Sequence, residues 1–270
     1  MTDVSPEITA WIENRIEYYL NRNREANRIK VNAQAGKATF LDANAYAGCI
    51  GADLAAAIRS LPTEMLPNGM MYYNISDKVL RPILGDAASD ILGVTDQVFI
   101  AVDSAAGIGL IPVRPDQANK IDGIVELASS KPWDEVKHEV GAVVETFARK
   151  VVDESIQVNS EFHYNAGLNP KIIRTIDRGA CEWCREVAGT YEYAKVRNTG
   201  NDVFRRHDNC GCTVVYEPGK GKQRNVVWKP SADQKREYKQ TEKALQEQLT
   251  GESQEDFVKK VADILEAIGM

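Results

Sequence analysis

Residues 132–167 read PWDEVKHEVGAVVETFARKVVDESIQVNSEFHYNAG. Trp133, Val136, Val140, Val143, Phe147 and Val151 recur at steps of three or four, which places them in one stripe along a helix. Gly141 costs only about 1 kcal/mol in such a setting, and no breaker intervenes before Gly167. The spacing predicts a helix of roughly 34 residues and roughly 50 Å. Asn169-Pro170 ends the segment.

Upstream, Ser5-Pro6-Glu7 has the form of a capped helix start, and Ile8, Ile12, Ile16, Tyr19 and Leu20 continue it to about Ile29. A second helix is expected from Asp42 to Ser60 and a third from Ser76 to Leu92, with a loop over 61–74. Val98–Val102 is a strand candidate, and Gly107–Val113 its partner. Downstream the period changes. Residues 171–176, 190–193 and 212–216 have strand chemistry, and 181–187 is a short helix closed by Gly189. The expected class is α+β, in three parts. These are a mostly helical region over 1–130, a small metal-pinned domain over 131–218 that includes the long helix, and a basic linker with C-terminal helices over 219–270.

The chain has 270 residues, a net charge of −6 and 43% hydrophobic residues. That balance excludes a disordered chain and a protein that coats nucleic acid with its whole surface. No stretch approaches the ~18 apolar residues of a membrane helix, and MTDVSPEITAW has no secretory leader pattern. The expectation is a chain made in a cytosol, or packed there into something larger. Between Gly219 and Lys239, seven Lys or Arg face only Asp233 and Glu237. Lys220, Lys222, Arg224 and Lys229, spaced among glycines, are candidates to follow DNA phosphates; the plainer reading is a solvated linker.

Four of the five cysteines fall within 32 residues. Cys181-Glu-Trp-Cys184 is followed by His207-Asp-Asn-Cys210-Gly-Cys212. Zn²⁺ takes four tetrahedral nitrogen or sulfur ligands, and two-residue spacers let a chain turn both side chains onto one ion. Cys181, Cys184, His207 and Cys210 are the favoured ligands, with Cys212 as substitute or neighbour. A structural zinc site, a redox pair of Cys181 and Cys184, and reduced cysteines in a small core compete for the cluster. Trp183 is expected to pack on it, while Glu182 and Glu186 read as a solvated face. His138 and His163 read as surface or core residues, and Cys49 as a small core residue. There is no phosphate-binding glycine loop and no nucleophile elbow.

Residues 158–170, then GACEWCREVAGTY, then VFRRHDNCGCTVVYEP resemble the minor head proteins of tailed bacteriophages, the Mu F-like head-morphogenesis family. That family's pattern is C-x2-C, a nearby glycine, then H-P-N-C-x-C entering a final strand. Here Gly189 follows Cys184 by five residues, and Asp208 stands in the place of the proline. The resemblance spans roughly 132–217. It implies a low-copy structural protein recruited to the head near the portal, with the portal, the major capsid protein and phage DNA as partners. It implies residence in the virion and, during assembly, in the bacterial cytoplasm. No membrane and no small-molecule substrate are implied. It also places the cysteine-bearing domain near the ADP-ribosyltransferase fold, whose active members carry an E-x-E or Q-x-E pair. Tyr191-Glu192-Tyr193 lacks the first carboxylate, so no enzymatic activity is expected. The alternative is a zinc-binding nucleic-acid or nuclease module. An HNH nuclease needs a further His or Asn on a helix after the knuckle, whereas Cys212 is followed by a strand, Pro218 and no later histidine.

Overall fold

Eight α-helices, three short 3-10 turns and a three-stranded sheet make up the described part of the chain, residues 3–198, 202–207 and 210–219 of a computed structural model. Helices α1 (Ser5–Leu20) and α2 (Arg24–Gln34) divide what the sequence presented as one helix. The cause is Asn23. Its Oδ1 accepts from Ala26 N at 3.1 Å, capping α2, while its Nδ2 donates to Asp53 Oδ2 at 2.7 Å. Ser5 is not the cap expected at the chain's first helix; Asp3 Oδ1 accepts from Ser5 N instead.

Helix α3 (Phe40–Arg59) starts on a capping box between Thr39 and Asp42. Its small residues allow a close approach to α6 (Trp133–Asn165), the long helix foreseen from its stripe. A Cβ placed on Gly51 would lie 2.8 Å from Ala148 Cβ. Gly167, at φ 87°, ends α6 in the left-handed region; Leu168 N bonds His163 O and Gly167 N bonds Tyr164 O, each at 3.0 Å.

Between them, α4 (Tyr73–Ala105) runs straight through Val98–Val102, so the expected strand there is helix. Ile91, Leu92, Val94, Thr95, Val98 and Phe99 are all buried at helical spacing, and that packing overrides the local strand preference. The expected partner, Gly107–Val113, is consequently not in a sheet. Its backbone is held by a side chain: Val113 N donates to Asn159 Oδ1 at 2.7 Å, and Asn159 Nδ2 donates back to Val113 O at 2.8 Å. Helix α5 (Ala118–Ser129) follows.

After α6 come β1 (Lys171–Thr175), α7 (Glu182–Glu186), β2 (Gly189–Glu192), α8 (Tyr193–Val196) and β3 (Thr213–Glu217). β1 is central, antiparallel to both neighbours, with Ile172 opposite Tyr191 and Tyr216, and Arg174 opposite Gly189 and Val214. Ile172, Arg174, Val214 and Tyr216 are buried on one face. β3 packs on α3 and α6, and Asn44 Nδ2 donates to Val214 O at 2.9 Å. Trp133 Nε1 donates to Leu61 O at 3.1 Å. One apolar core thus runs from Ile8 to Tyr216, across the boundary expected at residue 130. The architecture is mostly helical α+β. Residues 220–270, with the basic linker and the expected C-terminal helices, lie outside the described residues.

Candidate metal centre

Cys181 precedes α7 in an extended conformation, and its Sγ accepts from Cys184 N at 3.5 Å. One helical turn therefore turns both thiols to the same side. The second half arrives on the segment entering β3, where Cys210 N bonds His207 O at 3.2 Å. The halves meet. His207 Nε2 lies 3.3 Å from Cys181 Sγ and 3.1 Å from Cys184 Sγ, and Cys184 Sγ lies 3.7 Å from Cys210 Sγ. Ligand atoms of Cys181, Cys184 and His207 all lie within 4.8 Å of one another, as do those of Cys184, Cys210 and Cys212. Cys184 belongs to both sets. A thiolate bond of about 2.3 Å gives a tetrahedral sulfur–sulfur edge of about 3.8 Å, close to the Cys184–Cys210 separation. All five expected ligands are brought together, and the cluster can hold a metal ion. Cys181 and His207 are exposed; Cys184, Cys210 and Cys212 are buried with Ala180 in a small cluster separate from the main core.

Trp183 packs on this cluster as expected, its ring 6.2 Å from that of His207. Glu182 and Glu186 are exposed, as is Glu192, whose carboxylate pairs with Lys195 at 3.0 Å. His138 is exposed and Cys49 half-buried against the core. Asp208, Asn209 and the four basic candidates Lys220, Lys222, Arg224 and Lys229 lie outside the described residues.

Two arginines that no motif singled out hold the loops. Arg206 donates to Cys210 O at 3.1 Å and Cys212 O at 2.6 Å, and its other edge grips Asp153 on α6. Arg174, 1% exposed, donates through Nη1 to Val203 O and Arg205 O at 2.7 Å each. Its Nη2 points at Cys210 Sγ (3.7 Å) and Cys184 Sγ (3.9 Å), and its guanidinium lies 5.3 Å from the Trp183 ring centre. Burial pushes the Cys184 thiol up to about 12, with the other thiols adding to the rise. Burial also acts to raise Cys210, but hydrogen bonds from Cys212 and Cys184 and the charge of Arg206 outweigh it and lower that thiol. Burial works against the charge on Arg206; the Asp153 carboxylate overcomes this and raises its pKa.

A second polar cluster lies under β3. Asp103 from α4, His163 from α6 and Tyr216 from β3 are all buried. Asp103 Oδ2 is 3.3 Å from His163 Nε2 and Asp103 Oδ1 is 3.4 Å from Tyr216 Oη, while Tyr216 Oη also bonds His163 Nδ1. Phe40 and Phe99 enclose Tyr216. Burial raises Asp103 to about 7, lowers His163 to about 4 and raises Tyr216.

Among the described residues no helix is long and apolar enough to cross a membrane. Comparison of the chain with protein-family models, with curated proteins and with solved structures finds no match in any of the three.

Proposed function

We propose that the chain is a minor head protein of a tailed bacteriophage, incorporated near the portal during head assembly, with a zinc ion pinning its small sheet. The observation that carries this reading is the meeting of Cys181, Cys184, His207, Cys210 and Cys212 in the connections of that sheet. These are the residues on which the resemblance to the Mu F-like proteins rests. Zinc suits a donor set of thiols and one imidazole without carboxylates. The sheet with its metal loops is then the family's C-terminal domain, near the ADP-ribosyltransferase fold but without its carboxylate pair. The role is structural rather than enzymatic. The portal protein, the major capsid protein and phage DNA are its partners, in the virion and, before that, in the host cytoplasm.

The test is compositional and genetic. Particles and procapsids of a phage that encodes this chain, purified and analysed by mass spectrometry, should contain it at low copy. Disrupting its gene should leave heads defective in assembly or in DNA delivery, with recovery on complementation. Particles that lack the chain, or that form at normal titre without it, overturn the proposal.

A further inference from the structure

Two guanidinium groups are buried beside the cysteine cluster, and only one of them bonds a carboxylate. Arg206 has Asp153. Arg174 bonds two carbonyl oxygens and faces two sulfurs, its Nε has no partner, and among the described residues it pairs with no Asp or Glu. An arginine does not give up its proton in a protein, and a buried charge without a counter-charge costs several kcal/mol. The charge of Asp153 also acts on Arg174, but that carboxylate is bonded to Arg206; the groups that Arg174 Nη2 itself faces, and that can supply negative charge, are Cys184 and Cys210. A bound metal deprotonates its thiols outright.

We propose that Arg174 is the fixed counter-charge of the metal centre. A divalent ion with three thiolates and one neutral imidazole carries one net negative charge, which a single guanidinium balances. The inference rests on the metal reading of the cluster. Arg174 also bonds the carbonyls of Val203 and Arg205, in the segment that carries His207, so the same side chain fixes one half-site and neutralises both. It is a positioning residue, since it touches the ligands and not the ion.

The test uses the full chain, with Zn²⁺ as the probe and Co²⁺ as its spectroscopic substitute. Wild type, Arg174→Gln and Arg174→Lys are titrated with metal against a chromophoric chelator, and melted with zinc and with chelator. The expected result is a ten- to hundredfold loss of zinc affinity in Arg174→Gln, with a smaller loss in Arg174→Lys, which keeps the charge. Co²⁺ bound to wild type should show the intense charge-transfer absorption of three thiolates. In chelator, Arg174→Gln loses its bonds to Val203 O and Arg205 O and should melt somewhat lower than wild type; with zinc the drop should be clearly larger. Equal destabilisation with and without zinc, or a Gln variant that binds zinc as well as the Lys variant, overturns the counter-charge role while leaving the metal reading intact. A Gln variant that does not fold in chelator also counts against it. Wild type that binds neither Zn²⁺ nor Co²⁺ defeats the metal reading itself and the inference with it.

Discussion

Arg206, in the segment between the two halves of the cysteine cluster, and Asp153, in the middle of α6, form an ion pair with side-chain exposures of 1% and 0%. Such a pair contributes little compared with an apolar replacement, but removing one partner strands the other. Asp153→Ala should therefore cost about 3–5 kcal/mol in urea unfolding. It should also weaken metal binding, because Arg206 holds the carbonyls of Cys210 and Cys212. A variant within about 1 kcal/mol of the parent would show that the pair is not closed in solution.

Protein purified without added zinc should hold about one equivalent by metal analysis. Cys184→Ser should be the most damaging single change, since Cys184 belongs to both ligand groups. Cys181→Ser together with Cys184→Ser should cost several kcal/mol, as metal binding here is part of folding. If Cys212→Ser loses the ion while His207→Ala keeps it, the ligand set is the buried cysteines and not the favoured four.

The buried Asp103, His163 and Tyr216 predict a specific pH behaviour. Asp103, raised to about 7, keeps in the folded chain a proton that the unfolded chain has lost, so its contribution to stability falls as pH rises from about 4 to about 7. His163, lowered to about 4, does the reverse, because the unfolded chain holds the extra proton, and its contribution falls as pH drops from about 6.5 to about 4. The two slopes nearly cancel between pH 4 and 6.5. Asp103→Asn keeps the hydrogen-bonding shape and removes one slope. Its stability should fall by up to about 3 kcal/mol between pH 6.5 and 4, against little change from this pair in the parent. Parallel urea-unfolding curves for parent and variant across that range would contradict the assignment.

Gly51→Ala tests the contact between α3 and α6. In an exposed helix the change gains up to about 1 kcal/mol. Here the new methyl would meet Ala148 Cβ at 2.8 Å and the Glu145 backbone at 3.3 Å, so the helices must part. The expected result is a net loss of about 1–3 kcal/mol by thermal or urea unfolding; a gain would mean that the helices separate freely.

The long helix and the cysteine cluster were legible because each is written in local spacing. The stripe of α6 needs only a period, and two knuckles need only short intervals. The break at Asn23 was hidden because an asparagine inside an apolar rhythm looks tolerable until its cap and its bond to Asp53 are seen. Val98–Val102 misled through composition: β-branched residues suit a strand, yet here adjacent Val98 and Phe99 are both buried and Ile100 is exposed, continuing the helical spacing of Ile91, Leu92, Val94 and Thr95 rather than alternating. Arg174, Arg206 and Asp153 carry no motif. The contact of Arg174 with Cys184 and the pairing of Arg206 with Asp153 join residues 10 and 53 positions apart. The one available signal was an arginine at a strand position whose neighbours, Ile172 and Val214, are inward-facing.

The clamp of Asn159 on Val113 has a consequence for length variation. A strand in a ladder cannot gain a residue without slipping against its neighbour. The segment from Gly107 to Pro115 is fastened to α6 by one amide at Val113 and to α4 at Ile108 and Arg114, so chain added between Ile108 and Val113 leaves those fastenings where they are. Ile111, 84% exposed, marks the point where an inserted tag or extra residues should be accommodated with the helices undisturbed.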